Sequence, residues 1–147
     1  MNIVILDLEW NGSYSKKVHH YVNEIIEFGA VKVDEDFNIL GEFSILVKPE
    51  IGKKLSSHIA ALTHITNDEL FSKGISFIEA SEKFGEFSKG CPILTWGTSD
   101  ILTLMDNFSY YTVFFEKFYL AVACVIAEIV HKCEDIRCTP YENRAAL

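Results

Sequence analysis

Three segments near the start of the chain carry the hydrophobic pattern of β-strands. Residues 3–9 form an aliphatic run that is interrupted by Asp7 and Glu9. Residues 23–34 and 38–49 follow, and the second of these alternates hydrophobic with polar positions. The short link between them favours an antiparallel hairpin and leaves no room for crossover helices. The pattern therefore predicts a three-strand meander, with residues 3–9 at or near the middle of the sheet and buried on both faces.

Helical patterns come after these strands. Residues 56–62 form a short helical turn with serines available to cap it, and the pair Thr66 and Glu69 has the spacing of a capping box. Ser76 and Glu79 repeat that spacing before a clearer amphipathic helix. A fourth strand is predicted at residues 92–96, and Ser99 is predicted to cap a helix that starts one or two residues later. This order predicts an α/β domain with a mixed sheet.

Composition and charge narrow the classes of function. The chain has 147 residues, which fits a single domain over residues 1–147, and 49% of them are hydrophobic. It contains 13 Lys and Arg against 21 Asp and Glu, for a formal net charge of -8. This balance argues against binding nucleic acid mainly through a basic surface, but it is compatible with binding phosphate through metal ions.

The compartment is inferred from the cysteines and from the apolar segments. The four cysteines form no CxxC pair and no evident disulfide framework, which favours a reducing compartment, and we predict a cytoplasmic protein. No signal peptide is recognised at the N-terminus. The longest apolar run, residues 118–127, is too short to span a bilayer, so no membrane association is expected. No pattern indicates an oligomeric state.

The interruption of the first strand by two acids needs a physical reason. Residues i and i+2 of a strand point to the same face, so Asp7 and Glu9 should project together and repel each other. A Lys or Arg pair could compensate them, a divalent metal such as Mg²⁺ could bind between them, or they could lie on an exposed edge strand. Asp100 follows the predicted fourth strand, where ligand sites collect in α/β sheets, although a first-turn helix acid is the alternative.

Four segments occur together in one order. They are ILDLEWN, NEIIEFGAVKVD, LTHITNDEL and LTWGTSDILTL. In this order they resemble the DEDD superfamily of 3′–5′ exonucleases, and the resemblance covers residues 1 to about 107. Asp7 and Glu9 match the first motif of that family, and Asp100 matches the acid of its second motif. The resemblance implies an RNase-H-like fold, with a mixed sheet, flanking helices and here an incomplete C-terminal part.

The resemblance also implies a chemistry and a substrate. It implies that Asp7, Glu9 and Asp100 are catalytic and bind two divalent ions, Mg²⁺ or Mn²⁺, with Asp7 as the bridge between them. The implied reaction is two-metal hydrolysis of phosphodiester bonds, from the 3′ end of single-stranded RNA or DNA. Thr63 and His64 lie in the segment that resembles the family's loop near the terminal nucleotide of the substrate. Trp10 could stack on a base, and Asn11 beside it is also predicted to bind substrate. His64 stands where a glycine is common in the family.

The last motif of the family is the point at which this sequence departs from it. The family places a His-x-x-x-x-Asp or Tyr-x-x-x-Asp pair near its C-terminus. His131 and Asp135 are the nearest match, one residue short of the histidine form, and their alternative reading is a helix-end histidine beside an ordinary acid. A truncated or frameshifted copy would explain the pattern. The alternatives to an impaired exonuclease are an inactive nucleic-acid-binding module of the same fold and a small α/β domain with surface acids.

Overall fold

A four-stranded mixed sheet is the centre of the computed structural model, which describes residues 1–111. The strands are β1 (Ile3–Ser15), β2 (His20–Val33), β3 (Ile39–Leu46) and β4 (Ile93–Thr95). Their order across the sheet is β3-β2-β1-β4, with antiparallel pairing from β1 to β3 and parallel pairing of β4 with β1. The predicted meander, the mixed sheet and the interior position of the first strand are confirmed.

Helices join β3 to β4 and follow β4. They are α1 (Ser57–Thr63), α2 (Asn67–Lys73), α3 (Phe77–Ser88) and α4 (Ser99–Tyr111). The capping box of Thr66 and Glu69 is confirmed at the start of α2, and the Ser76 side chain accepts a hydrogen bond from the backbone N–H of Glu79 in α3. The predicted start of α4 is late by at least one residue, because Ser99 already belongs to the helix.

The β1–β2 hairpin extends well beyond the predicted strands. β1 continues to Ser15, which pairs with His20, and a bulge interrupts the register between Glu9 and Trp10. The sequence beyond Glu9 looks like a loop because it is polar, yet Asn11, Ser13 and Ser15 are all buried. Their polar groups are hydrogen-bonded, so this polar part of the strand can be buried.

The two faces of the sheet differ in what covers them. One face carries the main core, where Leu6, Leu8 and Phe28 pack with Phe77 and Phe84 of α3. On the other face of β1, Ile3 and Ile5 are only partly buried and Asp7 is exposed. We call this second side, at Asp7 and Glu9, the open face. The prediction that residues 3–9 are buried on both faces is therefore wrong, because only Val4, Leu6 and Leu8 of this segment enter the core.

A smaller hydrophobic cluster fixes the helices that follow β3. It contains Ile26 of β2 together with Leu55, Ile65 and Leu70, all of them buried. This cluster fastens α1 and α2 to the sheet and so positions the segment that carries Thr63 and His64. Among residues 1–111, no helix combines the length and the apolar content that crossing a membrane requires.

Candidate active site

Asp7 and Glu9 share the open face of the interior strand, as their spacing predicts. In the register of the hairpin, Asp7 lies opposite Gly29 and Glu9 lies opposite Glu27. Residues paired across antiparallel strands present their side chains to the same face. Glu27 therefore adds a third carboxylate to the open face, and its Oε1 accepts a hydrogen bond of 2.9 Å from the hydroxyl of Ser44 on β3.

Asp100 reaches the same strand from the N-terminal turn of α4. Its Oδ1 accepts a hydrogen bond of 3.0 Å from the backbone N–H of Leu8, and the residue is buried. Further back on this edge of β1, the N–H of Val4 donates to the carbonyl of Pro92. β4 ends at Thr95, opposite Leu6, so it offers no backbone carbonyl to the N–H of Leu8. The carboxylate of Asp100 accepts that hydrogen bond instead. Asp100 is thus held beside β1 between Asp7 and Glu9.

The electrostatics of this group show an excess of negative charge. Asp7 is exposed as a residue, but partial desolvation of its carboxylate, and then the charge of Asp100, raise the pKa of Asp7 above its usual value. The pKa of Glu9 is also raised, first by burial and then by the charges of Asp7, Glu27 and Asp100. The salt bridges within residues 1–111 all lie elsewhere, so no Lys or Arg of this part of the chain pairs with these acids. The Lys or Arg pair considered from the sequence is not found there.

Asp7 and Glu9 offer the kind of oxygen ligand that a hard divalent cation prefers. Within the described part of the chain, no three His, Cys, Asp or Glu side chains are grouped so that they alone could hold a metal ion. Mg²⁺, however, is commonly bound by one or two carboxylates and completes its shell with water and substrate phosphates. Asp7 and Glu9 provide oxygen ligands on one face, and a cation there would relieve the repulsion that raises their pKa values.

Two of the residues predicted to bind substrate, Trp10 and Asn11, lie just past the bulge in β1. Trp10 is partly buried and packs against the main core. Asn11 is buried, and its amide group donates to the hydroxyl of Ser13 and accepts from the backbone N–H of Ser56. In this position Asn11 connects β1 to the N-terminal cap of α1.

The other two predicted substrate residues, Thr63 and His64, end helix α1. The Thr63 hydroxyl donates to the carbonyl of Ile59 and accepts from the N–H of Ile65. His64 is exposed and has a φ of 60°, in the left-handed region. A glycine is favoured at such a helix end, so the left-handed conformation of His64 fits the glycine that the resemblance leads us to expect there. His131 and Asp135 lie outside the described residues, and their predicted roles stay predictions.

Glu27 and Trp96 lie beside the site but were not singled out from the sequence. Glu27 could have been found from the hairpin register, but only if the position of the bulge had been known. Trp96 lies between β4 and α4 and is 98% exposed. The sequence shows only that an aromatic residue stands four positions before Asp100. No local pattern indicates that this residue is exposed.

Comparisons with known proteins first define a class. The chain has the RNase-H-like fold of the DEDD-superfamily 3′–5′ exonucleases, so the resemblance drawn from the sequence is confirmed. The chain belongs to the exonuclease family RNase_T, whose model matches residues 4–107. No curated protein matches the chain.

Solved structures with a similar fold include three nucleases. The nuclease domain of 3′hExo, a DEDDh family member bound to rAMP, is 24% identical, with a TM-score of 0.60 over 74% of this chain and 58% of that one. Cell-death related nuclease 4 (CRN-4) is 18% identical, with a TM-score of 0.64 over 99% of this chain and 51% of that one. Exonuclease I of E. coli, in complex with a dA16 oligonucleotide, is 18% identical, with a TM-score of 0.58 over 74% and 23%. The chain thus spans about half of the first two and about a quarter of the third.

Proposed function

We propose that this domain is a metal-dependent 3′–5′ exonuclease domain that acts on single-stranded RNA or DNA. Membership of an exonuclease family supports the reaction class. The observation that carries the assignment to particular residues is that Asp7 and Glu9 share one strand face and Asp100 is fixed beside them at Leu8, with no Lys or Arg of residues 1–111 paired to these acids. The chain has a net charge of -8, and cations held by these acids would supply positive charge for binding phosphate.

Each carboxylate has a separate role in this proposal. Asp7 is the central ligand in this proposal, as the first motif of the family implies, and it lies close enough to Asp100 for that charge to raise its pKa. Glu9 extends the site along the same strand face. Asp100 has one oxygen fixed by the N–H of Leu8, so its orientation is set before any ligand binds and Oδ2 is the oxygen offered to a ligand. When bound, Mg²⁺ or Mn²⁺ supplies Lewis-acid chemistry that polarises water and phosphate and neutralises their charge.

The last motif of the family, which supplies the general base, is where this chain departs most from the family pattern. A positioned general base typically contributes about 10²–10⁴-fold to a rate. The nearest match to the family's base and fourth acid is His131 and Asp135, whose spacing is one residue short. We therefore expect the 147-residue chain to bind the 3′ end of single-stranded nucleic acid in the presence of metal and to hydrolyse it slowly. The second candidate, favoured by the same spacing, is a binding module without turnover.

Metal binding is tested by isothermal titration calorimetry with Mn²⁺. We expect one or more binding events in the wild type and at least a tenfold weaker affinity in D7N, which keeps the size of the side chain but removes its charge. The matched control is D36N, which removes the charge of an exposed aspartate in the β2–β3 turn and should bind as the wild type does. Equal binding by wild type and D7N would refute the metal site.

Catalysis is tested on a 5′-labelled single-stranded oligonucleotide with Mn²⁺, again with D7N as the blank. Slow shortening from the 3′ end by the wild type and none by D7N would support the exonuclease. If the wild type binds the oligonucleotide but never shortens it, the binding module is the correct function. Robust cleavage would show that the chain has a working replacement for the last motif, and the variants H131A and D135A would then test whether these residues supply it.

A further inference from the structure

Trp96 is an exposed aromatic side chain at the edge of the proposed site. It is 98% exposed, whereas the other tryptophan of the chain, Trp10, is partly buried against the main core. A side chain with so little contact contributes almost nothing to packing, and a bare indole ring in water is unfavourable. The ring is therefore accessible to a ligand from solvent.

The position of Trp96 is determined on both sides by contacts to β1. The residue before it, Thr95, pairs with Leu6 in the parallel ladder. Four residues after it, Asp100 is hydrogen-bonded to the N–H of Leu8. The segment from Trp96 to Ser99 therefore begins beside Leu6 and ends beside Leu8, and Asp7 is the residue between them. Trp96 is the first residue of that segment, and it lies beside the edge of β1 at Asp7, a proposed metal ligand.

The backbone that carries Trp96 has a defined shape. The hydroxyl of Thr95 donates a hydrogen bond of 2.6 Å to the carbonyl of Gly97, which closes a tight turn around Trp96. Gly97 has a φ of 111°, a conformation that side chains with a Cβ rarely adopt. The N–H of Leu102 then donates to the carbonyl of Thr98 at the start of α4. The turn thus fixes the position of the backbone that carries the exposed ring.

We propose that Trp96 stacks on a nucleobase at the 3′ end of a single strand whose phosphate is held at Asp7, Glu9 and Asp100. The inference rests on the proposed function and extends it by naming a base-binding residue. Every base has a flat π-face, so stacking on an aromatic side chain suits an enzyme that accepts any sequence. It would also supply affinity that the acidic surface, with its net charge of -8, cannot supply by charge.

The first measurement is the affinity for a short 5′-fluorescein-labelled single strand, followed by anisotropy in Mn²⁺. Terminal phosphorothioate linkages keep the ligand from being shortened. Stacking is worth about 1–3 kcal/mol per base, so W96A should bind about 5- to 150-fold more weakly, whereas W96F, which keeps a ring, should lose less. The matched control is F37A, which removes another exposed ring (72%) in the β2–β3 turn and should bind like the wild type.

The second measurement identifies the base. Strands are prepared with an abasic site at each of the last three positions, and each is bound to wild type and W96A in a double-mutant cycle. At the position that stacks on Trp96, removing the base should weaken the wild type but have little further effect on W96A. If W96A weakens every abasic strand by the same factor as the intact strand, the ring does not contact a base and the inference is overturned.

A spectroscopic measurement separates contact from a general effect on folding. Binding of the strand should quench tryptophan emission and shift it to the blue in the wild type, and W96F, which retains only Trp10, should lose that change. A wild type that binds the strand with no change in emission, and W96A that binds equally well, would overturn the inference while leaving the proposed function intact. A wild type that binds no strand at all would overturn both.

Discussion

Glu24 and the acids of the open face are carboxylates on the same sheet with opposite surroundings. Glu24 is fully buried, and its two oxygens accept hydrogen bonds from the backbone N–H groups of Glu50, Ile51 and Gly52 and from the hydroxyl of Tyr111. Asp7 and Glu9 are more accessible to solvent, and the charges that act on them are those of other acids. Hydrogen-bond donors thus compensate the charge of Glu24, whereas the charges of Asp7 and Glu9 have no such compensation among the described residues.

This difference distinguishes a structural acid from a candidate functional one. The donors around Glu24 come from the loop after β3 and from the end of α4, so the carboxylate ties two distant segments to β2. Glu24 also raises the pKa of the Tyr111 hydroxyl, although burial of the ring is the larger cause. On the open face, charge repulsion persists in the folded protein and lowers its stability. Acids that cost stability are the ones for which a ligand is the expected compensation.

The largest effect is expected when the donors around Glu24 lose their acceptor. E24A leaves three backbone N–H groups without their partner, and each buried unsatisfied group costs about 1–3 kcal/mol. We expect a loss of at least about 3 kcal/mol in the free energy of unfolding, measured by urea denaturation. E82A, at an exposed position of α3, is the control and should change it by less than about 0.5 kcal/mol. A loss below about 1 kcal/mol in E24A would contradict the structural role.

A gain in stability, rather than a loss, is expected when Asp7 is replaced in the absence of metal. Because burial and Asp100 raise its pKa in the folded state, the folded protein binds a proton at Asp7 more tightly than the unfolded chain does. Stability therefore falls as the pH rises through this range, and the metal-free wild type carries that cost at pH 7. Solvent screening keeps the cost small, so D7N should raise the thermal midpoint by about 2 °C in EDTA.

The pH dependence of the rise in thermal midpoint serves as a control for its cause. Below the ordinary pKa of 3.8, Asp7 is protonated in both states, and the advantage of D7N should disappear. D36N should show no gain at either pH. If D7N lowers the thermal midpoint at pH 7, the charge of Asp7 stabilises the folded protein. Asp7 would then resemble Glu24, and the difference between the two acids would be refuted.

The smallest effect is expected at Glu27. E27Q removes one of the negative charges that act on Glu9 but keeps an oxygen that can accept from Ser44. The pKa of Glu9, followed by NMR titration of its carboxyl carbon, should fall toward its usual value, and the thermal midpoint should change by less than about 1 °C. E42Q, farther along β3 on the same side, should leave the pKa of Glu9 unchanged. An unchanged pKa in E27Q would exclude Glu27 from the acidic group.

The sequence predicted those features that depend on close neighbours along the chain. Patterns that span only a few residues predict the meander, the capping box of Thr66 and Glu69, and the shared face of Asp7 and Glu9. The full length of the β1–β2 hairpin was missed, because Asn11, Ser13 and Ser15 are polar and a polar run is typical of a loop. They can be buried in a strand since groups such as the N–H of Ser56, far along the chain, satisfy them.

The amino-acid sequence by itself determined the fold class, the family and the face of the acids, because periodicity and motif spacing are local properties. Only the tertiary structure decided which acids are compensated. Asp100 meets Leu8 across 92 residues, and Glu24 meets Gly52 across 28, so neither contact has a local signature. The exposure of Trp96 was likewise decided by the early end of β4 and the tight turn after it. Partners of this kind depend on packing between distant segments, and hydrophobic patterns specify that packing only in outline.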